Sequence, residues 1–294
     1  MSIFLPAESH PAHRLRTATI GLRRAIVAGI TLFLCAINNG HELPIRAETT
    51  TNPPAQSASA QRLLAAYPDH VSEIRNGTIH FRDGTTMPFD DGKGPKSHAE
   101  WLANPDVEDM MAVPYVPGPI ASPPAIDVEP GRARNDNFLT KIYGDCRSGA
   151  VAGKLVDIVW LPRKSGAKLK VTAVNGVSQR LQAVSRALDA LPQHFDIYLI
   201  PPAGTFNCRQ IAGTDRLSAH GYGIAIDIAT IRSDYWRWSK AGPDGHPKWR
   251  NRIPQEIVAI FEAHGFIWGG KWNHYDTMHF EYRPELLPPT APHD

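Results

Sequence analysis

Residues 156–200 read VDIVWLPRKSGAKLKVTAVNGVSQRLQAVSRALDALPQHFDIYLI, and the fold class follows from this stretch. Residues 156–161 (VDIVWL) form a β-branched and aromatic run, residues 168–174 form another, and Ser165-Gly166 is the turn between them. Val177, Leu181, Val184, Leu188 and Leu191 then recur at spacings of four and three. That is one face of an amphipathic helix, and Pro192 stops it. Residues 197–200 (IYLI) read as a short buried strand. Strand, turn, strand, helix and strand do not alternate as strict βαβ units. The expected class is therefore α+β, with a mainly antiparallel sheet and flanking helices.

The same reading extends to both sides. Residues 224–228 (IAIDI) and 278–282 read as further strands. Pro254 opens a second helix, with Ile257, Ile260 and Phe261 on one face and Gly265 at its end. Upstream, residues 61–90 read as a short helix followed by a hairpin. Its turn signals are Asn76-Gly77 and Asp83-Gly84, around alternating segments such as 78–81 (TIHF). Nine prolines fall between Pro88 and Pro130, so that segment is expected to be irregular and to wrap over the main domain. Residues 48–60 (ETTTNPPAQSASA) have the composition of a linker. No internal repeat is visible.

Arg14, Arg16, Arg23 and Arg24 precede an apolar run of 13 residues, 25–37 (AIVAGITLFLCAI). This length suits the apolar core of a signal peptide and falls short of the ~20 residues that span a bilayer. Ile45-Arg46-Ala47 supplies a cleavage site, with Leu34-Cys35-Ala36 as the alternative. The chain is expected to be exported to the periplasm, the cell envelope or the exterior, and any membrane contact would come only through an uncleaved N-terminal segment. The expected organisation is a leader over 1–47, a linker over 48–60, a hairpin and Pro-rich wrapping region over 61–137, and a main domain over 138–294. Without the leader only Cys146 and Cys208 remain. In an oxidising compartment they can pair; the alternative is two separate buried thiols.

Composition limits the function classes. Lys+Arg 31 against Asp+Glu 29 leaves a formal charge of +2, with no basic patch of the kind nucleic-acid binders carry. The chain is 42% hydrophobic and 20% charged, which is a globular balance. Proline stands out at 26 of 294 residues, about 9% against a usual ~5%.

The chemistry concentrates between Arg209 and Glu281. Residues 218–227 (SAHGYGIAID) place His220 and Asp227 seven positions apart, one ending a loop and the other on the following strand. Imidazole nitrogen and carboxylate oxygen are zinc ligands, and a catalytic zinc site takes three such groups and keeps a fourth position open. His279, in residues 276–281 (DTMHFE), supplies the third. Asp276, three residues earlier, is placed to act as general base. No metal role is expected for His194, His246, His264 or His274.

The wording Ser-x-His-x-x-Gly-x-Ala-x-Asp, followed by Trp268-Gly269-Gly270 and Asp-x-x-His-Phe-Glu, resembles the D-alanyl-D-alanine metallopeptidase family. That family includes vancomycin-resistance-type D,D-carboxypeptidases and L-alanyl-D-glutamate endopeptidases, and it shares a zinc fold with lysostaphin-type peptidases and the hedgehog N-terminal domain. The resemblance is dense over 204–285 and says little about 48–137. It implies Zn2+ held by His220, Asp227 and His279, and a peptidoglycan stem peptide as substrate. It also implies a substrate arginine after the central strand, Arg209, with Arg216 as the competing candidate. Ser218 resembles the family serine beside the first ligand, a substrate hydrogen-bonder or a support for that ligand rather than a nucleophile. The D,D-carboxypeptidases place a Glu two residues before the last His, where this chain has Thr277. Asp276 instead matches the endopeptidase arrangement, which points to cleavage at L-Ala–D-Glu. D-Ala–D-Ala carboxypeptidase chemistry is the alternative, and a catalytically silent zinc module that binds the cell wall is the alternative of another class. Gly221, Gly223, Gly269 and Gly270 suit close backbone approach around the site. One or two of Trp236, Trp238, Trp249, Trp268 and Trp272 are expected to wall a groove.

Overall fold

The computed structural model describes residues 57–242 and 245–288, which fall within one unit, Pro53–Asp294. The leader and residues 48–56 of the linker lie outside the described residues. The rest of the linker is not a linker: Ser57 caps a helix, accepting a hydrogen bond from the Ala60 N–H at 3.2 Å, and residues 58–60 are its first turn. This helix, α1 (Ala58–Ala66), buries Ala60 and Leu63, one helical step apart.

Three strands follow where a hairpin was expected: β1 (Val71–Arg75), β2 (Thr78–Phe81) and β3 (Thr86–Pro88) form an antiparallel meander. Both expected turns are present, and Asn76 and Gly77 take the positive φ that a tight hairpin turn demands. The Pro-rich segment contains one short helix, α2 (His98–Ala103), capped by Ser97. Apart from a 3-10 turn, Asp109–Met111, it is otherwise irregular up to α3 (Asp136–Tyr143), which buries Phe138, Leu139, Ile142 and Tyr143.

The decisive stretch folds as a hairpin, β4 (Leu155–Trp160) and β5 (Ala167–Thr172), followed by α4 (Val177–Asp189). The strand expected over residues 197–200 is instead a single helical turn, α5 (Asp196–Leu199). Phe195 and Leu199, four apart, are buried while Ile197 is exposed, so the apolar residues serve a helical face rather than a sheet. A short apolar run does not distinguish the two by itself.

The last sheet consists of β6 (Ala225–Asp227), β7 (Phe266–Trp268) and β8 (His279–Tyr282) in the order β6-β8-β7, all antiparallel. Between β6 and β7 lies α6 (Gln255–Ala263), capped at Pro254, which buries Ile257, Val258 and Phe261, with Ile260 only partly covered. Phe261 stacks on Phe280 with ring centroids 3.8 Å apart, seating α6 on the sheet. The architecture is α+β with three small antiparallel sheets rather than one large one. A Cys146–Cys208 disulfide ties the segment after α3 to the loop that precedes Arg209. No described helix is long and apolar enough to cross a membrane.

Candidate metal centre and active-site groove

Sheet register builds the site. Asp227 ends β6 directly opposite His279, the first residue of β8, so two residues 52 positions apart become cross-strand neighbours. The Asp227 Oδ1 lies 2.8 Å from the His279 Nδ1. His220 sits in a 3-10 turn, Ala219–Tyr222, that delivers its Nε2 to 3.2 Å from the Asp227 Oδ2. One ligand atom from each of the three residues lies within 4.8 Å of the others.

The surroundings fix which nitrogens are presented. The His220 Nδ1–H donates to the Thr205 carbonyl, which leaves Nε2 as the unprotonated nitrogen. That Nε2 is buried without a hydrogen-bond partner, an uncommon condition for a buried polar atom. The His279 Nε2 points toward Glu281, 3.8 Å away, and Glu281 is clamped by Arg134 through two bonds of 2.6 and 2.7 Å. The donor set of two imidazoles and one carboxylate, with an orphaned lone pair at its centre, fits a zinc ion.

The charges agree with that fit. Burial acts to raise the Asp227 carboxyl, but the His220 and His279 imidazoles beside it outweigh that and hold the group well below the usual carboxylate range. Burial acts to lower His279, but its bonds to Asp227 and Glu281 hold the imidazole up at about 10. Among the described residues one other acidic group converges, Asp90, Asp91 and Asp106. There the Lys96 ammonium occupies the position of a cation, 3.0 Å from Asp91 and 3.4 Å from Asp106.

Asp276 lies on the same side as the ligands, lining a cavity of about 630 Å3 together with Asp227 and His279. It is half-buried, its Oδ1 is shut off from solvent without a hydrogen-bond partner, and burial pushes its carboxyl up to about 6. Gly269 permits this approach, because a Cβ there would come within 2.6 Å of the Asp276 carbonyl oxygen. Thr277, the position where D,D-carboxypeptidases carry their acid, is fully buried, and its hydroxyl accepts from the Asp234 N–H.

Ser218 and Arg209 also line the cavity, Arg209 as an exposed side chain on its rim. Arg216 touches the cavity too, but its guanidinium donates to the carbonyls of Leu102 and Arg134 and lies 3.5 Å from Asp136, so it braces the wall. Of the tryptophans, Trp272 faces the groove. Several groove residues had not been expected: Arg132, Arg134, Arg237, and Leu102 and Ala103 of α2. Glu281 carried a readable signal, since two residues beyond His279 on a strand it shares the same face. The arginines of residues 131–134 (GRAR) sit in an irregular segment where no periodicity marks them.

Residues 212–282 match the family described as D-alanyl-D-alanine carboxypeptidase. The matched segment contains His220, Asp227, Asp276 and His279 and ends on β8. Arg209, α2 and Arg132 lie outside it. At the level of that family the match supports a zinc metallopeptidase acting on peptidoglycan. No curated protein and no solved structure matches the chain.

Proposed function

We propose that this chain is an exported zinc peptidase that cleaves peptidoglycan stem peptides within the chain, at L-Ala–D-Glu. The observation that carries the reading is the convergence of His220, Asp227 and His279 beside Asp276, whose buried Oδ1 has no partner, with Asp227, His279 and Asp276 lining one groove. Held by those three residues, Zn2+ would supply the Lewis acidity that polarises the scissile carbonyl and brings the pKa of water towards neutrality. Asp276 accepts the proton from the attacking water and, once protonated, returns it to the leaving amine nitrogen. A carboxyl raised to about 6 is suited to both transfers near neutral pH. Ser218 offers a hydrogen bond to substrate. Arg132 and Arg209 give the groove cationic donors for a substrate rich in carboxylates. The disulfide supports an oxidising compartment.

A second reading, release of terminal D-alanine, draws support from the family description and from the same arginines, which would anchor a free carboxylate equally well. A synthetic pentapeptide stem separates the two. Cleavage at L-Ala–D-Glu, identified by mass spectrometry of the new termini, is the expected result. Release of free D-alanine with that bond intact would move the assignment to the carboxypeptidases.

A further inference from the structure

Residues 128–134 lie some 80 positions upstream of the matched segment, in the Pro-rich region, yet they are built into the site. Five hydrogen bonds join this strap to three consecutive residues that lead into Asp276. The Trp272 Nε1–H donates to the Pro130 carbonyl at 2.8 Å, and the Asn273 N–H to the Val128 carbonyl at 3.0 Å. The His274 N–H and Nδ1 both meet the Glu129 Oε1, at 2.9 and 2.7 Å. The Arg132 Nη1 donates to the His274 carbonyl at 2.6 Å and lies 3.3 Å from the same Glu129 oxygen. The Arg132 guanidinium also sits over the Trp272 ring, 5.3 Å from its centroid.

The second Glu129 oxygen faces the other way. Its Oε2 lies 3.1 Å from the His98 Nε2, and the His98 ring stacks on Trp101 of the same helix. Helix α2 is the element whose Leu102 and Ala103 form a groove wall. Glu129 is fully buried, and a buried carboxylate is costly unless its oxygens are occupied by donors. Here every donor comes from the wall helix, the strap, or the loop that carries Asp276. Gly131 presses the strap onto the sheet: its φ is +78°, and a Cβ would fall 2.5 Å from the side chains of Ile267 and Leu286. This arrangement exceeds what covering the sheet requires, because covering does not call for a charge shared between two stacked histidines, one on the wall helix and one on the loop that carries Asp276.

We propose that Glu129 is a positioning residue, one buried carboxylate that sets the loop bearing Asp276 and the α2 wall in a common frame. The proposal rests on the reading of Asp276 as the general base. A substrate seated against α2 is then already in register with the group that takes the proton. In an interaction of this kind a small displacement is felt in turnover rather than in substrate affinity.

The test uses Glu129→Gln, which keeps the shape and one acceptor but removes the charge. The expected result is zinc content unchanged at one per chain, kcat on stem peptide down about tenfold or more, and KM within about threefold of wild type. Amide exchange over residues 272–277 should rise about tenfold while exchange in the β4–β5 hairpin stays as in wild type. A carboxylate that only stabilised the fold would raise exchange in both places and leave kcat of the folded fraction unchanged, and that pattern overturns the proposal. So does a variant with wild-type exchange over 272–277. If Glu129→Gln fails to fold, His98→Ala removes one half-exposed partner and should raise exchange over 272–277 about threefold; no rise overturns the proposal. The exchange measurement does not need hydrolysis, so a wild type that cleaves no stem peptide defeats the proposed function without deciding this one.

Discussion

Asp227 and Glu129 are each set between two imidazoles, Asp227 at 3.2 and 2.8 Å from His220 and His279, and Glu129 at 3.1 and 2.7 Å from His98 and His274. Both join one carboxylate to two imidazoles, but the hydrogen bonding differs. Around Glu129 the demand is closed: the carboxylate also takes the His274 N–H and Arg132, and the second His98 nitrogen lies 3.1 Å from Asp127. Around Asp227 one buried nitrogen, the His220 Nε2, is left over, and the cluster opens onto the groove. A carboxylate between histidines suits a metal ion when a lone pair remains and three donors converge. With every lone pair filled it becomes a brace.

The largest expected effect breaks or upholds that contrast directly. His220→Ala should bring bound zinc from one per chain to near zero and abolish hydrolysis, whereas His98→Ala should leave zinc at one per chain. Metal analysis of the two purified variants checks this, and zinc loss in His98→Ala alone would reverse the comparison. Next comes Asp276→Asn, which should keep zinc and lose turnover by about 100- to 10,000-fold, because the Lewis acid stays while the proton carrier goes. Near wild-type hydrolysis by this variant would mean the base lies elsewhere.

Away from both carboxylates, replacing Cys146 and Cys208 with serine opens a link spanning 62 positions, worth roughly 4 kcal/mol of folding free energy. Urea unfolding should show that loss with zinc stoichiometry intact, which would separate stability from metal retention. The smallest effect concerns the metal-free protein. Asp276 rises from 3.8 to about 6 on folding. An acid raised in this way costs the fold nothing at low pH; the cost grows between pH 4 and 6 and is complete above. Asp276→Asn should therefore be more stable than wild type at pH 8, by up to roughly 3 kcal/mol, and no more stable at pH 4. Equal gains at both values would show that burial of the charge is not the cause.

Sequence alone revealed those parts of the molecule in which neighbouring residues share one local rule. The 3.6-residue period of α4, the turns at Asn76-Gly77 and Ser165-Gly166, and the closeness of His220 to Asp227 at the end of β6 are of this kind. The helical turn α5 was misread because four apolar residues satisfy a strand and a turn equally. The Arg134–Glu281 clamp and the Glu129 brace were not legible. Each joins an irregular Pro-rich segment to residues more than 140 positions away, and no short-range pattern records such a pairing.

The strand order β6-β8-β7 places the final strand at the centre of its sheet. During synthesis from N- to C-terminus, β6 and β7 emerge before the strand that joins them. His220 and Asp227 are therefore outside well before the third donor arrives with β8. Until then the chain has an incomplete metal site and two strands awaiting a partner. On the proposed function, a nascent chain therefore has no complete set of zinc donors until β8 has emerged.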